Sequence, residues 1–129
     1  MTSAAALLLS LATIDPTIVA VNTERARHGL KPFAQHTVLE RSADRFAARL
    51  VRTNRFAHES RIRVPAGRFV RLGEVLAQGG RTFTPADAVR AWMSSPPHRR
   101  ILLSRKFTHA GAGAAGSTIR VMHFGASSS

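Results

Sequence analysis

Two short stretches bring an ionisable side chain into a setting of small and apolar residues. His58 lies in "RFAHES", and Glu74 lies sixteen positions later in "RLGEVLAQGG". A carboxylate within an apolar segment is unfavourable unless it is paired, so Glu74 is expected to have a cationic or metal partner. His98 is a second candidate imidazole, because it follows Pro96-Pro97, where a turn can direct a side chain into a cleft.

Two histidines and one carboxylate allow two kinds of chemistry. They can ligate a divalent ion that keeps an open water position, or they can form an acid and base pair without metal. In a third interpretation Glu74 only caps the backbone or pairs with an arginine, and His58 and His98 have no role. The sequence contains no HExxH motif, no GxxxxGK phosphate loop and no GxSxG elbow, which excludes the common motif-based enzyme classes.

The other four histidines are not expected to take part. His28 and His36 lie at predicted helix boundaries on the surface. His109 and His123 fall in predicted strands, where a half-exposed imidazole is common.

The size and composition of the chain predict one globular domain. It has 129 residues, of which 44% are hydrophobic and 20% are charged, which is ordinary globular usage. The absence of cysteine excludes disulfides, thiolate zinc sites and cysteine nucleophiles. A monomer is expected.

The charge balance points to anionic partners. The formal net charge is +12, and all but two of the 19 basic residues are arginine. Such a field attracts nucleic acid, anionic lipid or an acidic cell-wall polymer, although it can also serve only to solvate the surface. The arginines lack interleaved aromatics and a recognised reader motif, which argues against nucleic acid.

The N-terminal run "TSAAALLLSLA" has the length of a signal-peptide core. It lacks a preceding Lys or Arg and is too short to span a bilayer, so no membrane span is expected. Residues 1–14 therefore have three interpretations: a remnant of an export signal, a disordered tail, or a short helix packed on the domain. The domain itself is expected over residues 15–125, with a disordered tail at residues 126–129.

Helix start and stop residues predict two of the helices. Asp15-Pro16 supplies an N-cap and a proline at the first helical position, which predicts a helix over residues 16–28. Thr84-Pro85-Ala86-Asp87 is a capping box that begins another helix, and this helix must end by Ser95 because Pro96-Pro97 interrupts it. A further helical turn is expected over "HRRILL".

A helix between these two has the clearest period. Thr37 and Glu40 are expected to form its capping box. Its inner face is predicted to hold Leu39, Ala43, Phe46, Ala47 and Leu50. Its opposite face carries a stripe of arginines, which is most simply a solvated surface: Arg41, Arg45, Arg49 and Arg52.

The remaining segments predict strands and loops. Residues 54–80 have no helical period and are expected to be loop with a short strand near "GEVLA". The alternating segments "THAGAGA" and "TIRVMHFG" flank Gly116-Ser117 and predict an antiparallel hairpin. Helices and strands that are not arranged as repeated βαβ units favour the α+β class.

Several short strings occur in an order that resembles a known family. They are "VNTERARHGLKPF", "FAH", "GEVLAQG", "AVRAWMSSPPHRRILL", "FTHAGAG" and "HFG". The chain resembles the CAP superfamily, or SCP domain, in its cysteine-free bacterial branch, from about residue 16 to residue 125. This superfamily includes cysteine-rich secretory proteins, insect venom allergens and plant pathogenesis-related proteins. The most specific piece is the Trp-Met-Ser-Ser-Pro-x-His-Arg segment at residues 92–99.

The resemblance implies an α-β-α sandwich, with a central antiparallel sheet between helical layers and a surface cleft lined by two histidines and up to two glutamates. His58 matches the first histidine, Glu74 the glutamate of the Gly-Glu dipeptide, and His98 the second histidine. Ser95 stands where eukaryotic members carry the second glutamate. The resemblance also implies secretion to the extracellular space or cell envelope.

The same resemblance implies a binding module more readily than an enzyme. His58 and His98 would hold a divalent cation such as zinc, with Glu74 nearby, and the ligand would be a small hydrophobic or lipid-like molecule or an anionic cell-surface component. The alternative is a hydrolase, a peptidase or esterase, that uses metal-bound water or pairs Glu74 as base with a histidine, His58 or His98, as acid.

Overall fold

The computed structural model describes residues 13–127 of the chain. This part contains four helices: α1 (Pro16–Arg27), α2 (Thr37–Thr53), α3 (Pro85–Met93) and α4 (Pro96–Leu102). It contains four strands: β1 (Ala34–Gln35), β2 (Arg71–Gln78), β3 (His109–Ala115) and β4 (Ile119–Ala126). None of the helices between residues 13 and 127 has the length and apolar character needed to span a bilayer.

The strands form one sheet in the order β1-β3-β4-β2. β4 is central and pairs antiparallel with both β2 and β3, whereas the two-residue strand β1 adds to the edge in parallel with β3. The predicted hairpin is therefore present and consists of β3 and β4. β2 pairs with the other edge of β4.

Helices cover both faces of this sheet. α2 packs on one face, where its apolar side meets Leu76, Ile119 and Val121. α1, α3 and α4 pack on the other face around Trp92, which is buried beside Val75, Met122 and Phe124. The predicted α+β class and α-β-α sandwich are confirmed.

Two glycines of β3 let α2 lie close to the sheet. A Cβ atom built on Gly111 would collide with the backbone of Glu40, and one built on Gly113 would collide with the backbone of Asp44. The small residues of "THAGAGA" thus set the distance between the helix and the sheet. That close approach is what brings α2 side chains within reach of β4.

The caps of α1 and α3 agree with the sequence, but the cap of α2 does not. The Asp15 carboxylate accepts the Thr17 amide at 2.8 Å, and Thr84 and Asp87 form the expected capping box. In α2 the predicted box between Thr37 and Glu40 is wrong, because the His36 carbonyl already accepts the Glu40 amide. The helix thus begins one residue earlier than predicted, with His36 as its N-cap.

Two strands extend further than the sequence suggested. β2 spans Arg71–Gln78 rather than a short segment near "GEVLA". β4 continues through Ala126, which was expected to lie in the C-terminal tail, because Ala126 pairs with Arg71 and its carbonyl accepts the Val70 amide at 2.9 Å. The interpretations of residues 1–12 and 128–129 lie outside the described residues.

Candidate functional site

Glu74 and His123 occupy facing positions in neighbouring strands. The register of β2 and β4 pairs Glu74 with His123. Both side chains project from the face of the sheet that carries Leu76 and Val121, which is the face that α2 covers. Glu74 is 9% exposed and His123 is fully buried.

The Glu74 carboxylate accepts three hydrogen bonds. His123 Nε2 lies 2.7 Å from Oε2, while His58 Nδ1 at 2.9 Å and the Glu59 amide at 3.0 Å both reach Oε1. Burial raises the pKa of Glu74, but the hydrogen bonds from His123, His58 and the Glu59 amide outweigh it and hold this pKa below its usual value. An ionised carboxylate can only accept hydrogen bonds, so His123 Nε2 and His58 Nδ1 each carry a hydrogen.

His123 links this carboxylate to α2. Its Nδ1 lies 2.7 Å from Ser42 Oγ, and the same oxygen lies 2.9 Å from the Leu39 carbonyl oxygen. The ring stacks on Phe46 at a centroid distance of 6.2 Å. A chain of hydrogen bonds therefore runs from α2 through Ser42, His123 and Glu74 to His58.

The expectation that His123 is a half-exposed imidazole without a role is wrong. It lies two and four residues beyond Val121 and Ile119 in a strand, so the period of two places it on the same inner face. The sequence contained this information, because a histidine in phase with two buried β-branched residues needs a polar partner. Its partners are Glu74 and Ser42.

His58 lies at the outer end of the chain of hydrogen bonds. Its side chain is 63% exposed, and because Nδ1 donates to Glu74, Nε2 has no partner in the described part of the chain. The loop is held in place by Glu59, whose buried carboxylate pairs with Arg49 at 2.8 Å and with Arg63 at 3.8 Å. His58 thus presents a fixed nitrogen to solvent.

Ser95 and His98 form a second pair near the start of α4. His98 Nδ1 lies 2.7 Å from Ser95 Oγ, so its Nε2 is also without a partner among residues 13–127. Burial and then the charge of His58 lower the pKa of His98. No hydrogen bond between described residues joins this pair to Glu74.

A hollow of about 350 Å³ opens beside His58. Its walls come from the second half of α2 and the following loop, and they include Arg49, Arg55 and Arg63. Ser95 and His98 are not part of this wall. The structure therefore brings His58 into contact with Glu74, and Ser95 into contact with His98, but it divides the four predicted residues into two pairs.

Few side-chain atoms near His58 are available to ligate a metal ion. No cluster of three or more His, Asp or Glu side chains suited to a metal ion occurs within residues 13–127. Both oxygens of Glu74 are already engaged, which leaves Nε2 of His58 and Nε2 of His98 as the available protein donors. Two imidazole donors are too few for a closed structural zinc site, which needs four protein ligands, so water would have to fill the other positions of any site built on them.

The sandwich and the His and Glu pair define the class of protein. A family model described as the cysteine-rich secretory protein family, CAP, matches residues 18–123. The chain therefore belongs to the CAP family, although it contains no cysteine.

Similar proteins come from several bacteria. Over 100 residues the chain is 33% identical to the protein YkwD of Bacillus subtilis, covering 71% of this chain and 38% of YkwD. An extracellular SCP-domain protein of Bacillus anthracis superposes with a TM-score of 0.75 at 21% identity, covering 90% of this chain and 45% of that one. An outer surface protein of Borrelia burgdorferi gives a TM-score of 0.71 at 20% identity, covering 98% and 95%.

These comparisons establish the family and the fold. Because the two similar structures are only 20% and 21% identical to this chain, they show that the fold is shared and nothing more. The chain spans less than half the length of YkwD and of the Bacillus anthracis protein. What those longer proteins do as a whole is a separate question from what this domain does.

Proposed function

We propose that this protein is an extracellular or cell-envelope binding module of the CAP family. In this proposal His58 and His98 hold a divalent cation, with zinc as the natural candidate, and an anionic cell-surface component is the partner. The observation that carries it is the state of His58: Glu74 holds its Nδ1, and its Nε2 has no partner among residues 13–127.

The arrangement around His58 is the one that metal-binding histidines use. A ligating imidazole commonly donates its second ring nitrogen to a carboxylate, which fixes its tautomer and orientation. Glu74 supplies this support to His58, and the Ser95 hydroxyl is placed to do so for His98. Bound zinc would supply a positive charge and a site for an exchangeable water or an anionic ligand.

The proposed extracellular or cell-envelope location is supported by two structurally similar proteins and by the net charge of the chain. Two structures with the same fold are described as extracellular or outer-surface proteins. A net charge of +12 suits a protein that works against an anionic surface. The charge also favours an anionic partner over a small hydrophobic ligand, since three arginines line the hollow beside His58.

Binding is better supported than hydrolysis. A general base works best when its pKa lies near the working pH, whereas the hydrogen bonds to Glu74 hold its pKa low. Ser42, His123 and Glu74 follow each other in the order of a hydrolase triad, but Ser42 is buried on the inner face of α2 and has no access to a substrate.

Calorimetric titration of zinc into the metal-free protein tests the cation site. We expect uptake by the wild type and its loss in a His58→Ala, His98→Ala double variant. The matched control is His28→Ala, His109→Ala, which removes two histidines away from the site and is expected to bind zinc as the wild type does. Equal uptake by the wild type and the first double variant would overturn the cation site.

A further inference from the structure

The segment that follows α2 turns back and lies along that helix. Near its start Glu59 pairs with Arg49 at 2.8 Å, and in its middle the Arg63 carbonyl accepts from Arg45 Nη2 at 3.0 Å. Near its end the Phe69 ring packs on His36, with centroids 5.2 Å apart. Later residues of the loop therefore contact earlier positions of the helix. The contacted positions run from residue 49 back to residue 36, which spans about 20 Å along the helix at 1.5 Å per residue.

This course places two rows of arginines side by side. The helix contributes Arg41, Arg45, Arg49 and Arg52, and the segment beside it contributes Arg55, Arg61, Arg63 and Arg68. We call these eight residues the arginine track. All are exposed except Arg49, which is half-buried.

Most of the track has no acidic partner. Among residues 13–127, Arg49 and Arg63 are the only members of the track in ion pairs, and both pair with Glu59, whose side chain is 4% exposed and lies beneath them. Arg45 donates only to a backbone carbonyl. Six of the eight form no ion pair with any residue between 13 and 127: Arg41, Arg45, Arg52, Arg55, Arg61 and Arg68.

We propose that the arginine track binds a linear polyanion through phosphate groups along its backbone. Like charges this close repel one another, and a polyanion would remove that cost. The guanidinium group matches the geometry of these oxyanions through paired hydrogen bonds. On the helix the spacing of four residues sets successive arginines about 6 Å apart, a repeat that suits a chain of charges better than a single ion.

The aromatic residues argue for a polymer without bases. A platform for single-stranded nucleic acid alternates exposed aromatic rings with basic residues. Along the track Phe46 is buried below Arg49, and Phe69 packs against His36. Phe56 is the exposed large aromatic of the described residues, and it lies beside Arg55 at one end. The partner we infer is therefore a chain of phosphodiester-linked, non-aromatic units.

This inference gives a location to the anionic partner of the proposed function, and it does not depend on the cation site. The probe is a fluorescently labelled polyphosphate of defined length, with binding measured by anisotropy over a range of salt concentrations. The test variant is Arg41→Gln, Arg52→Gln, Arg55→Gln. The matched control is Arg81→Gln, Arg100→Gln, Arg105→Gln, which removes the same charge from exposed arginines outside the track.

We expect the track variant to lose affinity by about tenfold or more, and its salt slope to fall by about 2, at roughly 0.7 for each lost contact. The control is expected to stay close to the wild type. Equal losses in the two variants would mean that net charge alone attracts the probe, and this would overturn the track. Tighter binding of oligo(dT) with the same number of phosphates would also overturn it, in favour of nucleic acid. Zinc titration of the track variant separates this result from failure of the cation site, because the variant retains His58 and His98.

Discussion

His123 Nε2 lies 2.7 Å from Glu74 Oε2 at facing positions of β4 and β2, and on the other side of the carboxylate His58 Nδ1 lies 2.9 Å from Oε1. One imidazole is fully buried and the other is largely exposed. Glu74 therefore connects the interior of the sandwich to the surface. Its carboxylate can remain ionised in this setting because both rings and one amide donate to it.

Replacement of His123 should destabilise the fold more than replacement of other histidines. His123→Phe removes the buried hydrogen-bond donor of Glu74 and leaves a buried carboxylate with one partner fewer. We therefore expect a loss of about 3 kcal/mol in the free energy of unfolding. Urea denaturation measures the loss. His28→Phe, at the exposed end of α1, is the control and should change the free energy little. Similar midpoints for the two variants would show that the buried pair adds no stability.

The N-cap of α2 should make stability depend on pH. His36 Nδ1 accepts the Val38 amide at 3.1 Å, so the cap requires that this nitrogen carry no proton. Burial, then His109, then Arg68 lower the pKa of His36, so the folded protein binds this proton less readily than the unfolded chain does. The stabilising contribution is complete above the ordinary histidine pKa of about 6.5 and is lost as pH falls through the lowered value.

His36→Asn tests this, because asparagine caps helices well and does not titrate in this range. The free energy of unfolding of the wild type should decline by about 1 kcal/mol more than that of the variant between about pH 7.5 and about pH 5. Chemical denaturation at a series of pH values gives both curves. Curves that remain parallel would exclude His36 as the source.

The architecture could be predicted because its elements have a strong local period. The inner face of α2 repeats at helical spacing, and its predicted residues are buried. The position of the N-cap was harder to predict, because Thr37 and Glu40 also match the capping-box pattern, with the N-cap one residue too late. Only the hydrogen bond from the Glu40 amide to the His36 carbonyl shows that the N-cap is His36 and not Thr37. Local patterns predict that a helix exists more reliably than they predict its first residue.

The inner part of the site was harder to predict, because β4 is buried on both faces. A strand with one solvated face would show polar residues in alternation, and His123 would then be conspicuous among apolar neighbours. Here Met122 and Phe124 are as fully buried as Val121 and His123, so no alternation of polar and apolar residues marks the inner face on which His123 lies. The course of the loop along α2 was hidden for another reason: it depends on contacts between residues far apart in sequence, such as His36 with Phe69.

Close packing of α2 on the sheet should depend on Gly111. Gly111→Ala would place a Cβ atom against the backbone of Glu40 and Leu39, and the helix would have to move away. We expect a loss of about 1–3 kcal/mol in the free energy of unfolding. Gly80→Ala is the matched control, because a Cβ atom there meets no other atom within 4 Å. Equal thermal unfolding midpoints for the two variants would contradict the close approach.

The support that Glu74 gives to His58 should appear in zinc affinity. Glu74→Gln keeps the shape of the side chain but removes the charge that holds the Nδ1 hydrogen of His58, so Nε2 is no longer maintained as the free nitrogen. Loss of such a supporting carboxylate lowers metal affinity by about 10- to 100-fold. Calorimetry of zinc binding, with Glu24→Gln on α1 as a control for loss of one negative charge, measures the effect. If the two variants bind zinc with the same affinity, Glu74 stabilises the fold through His123 without preparing His58 for a metal ion.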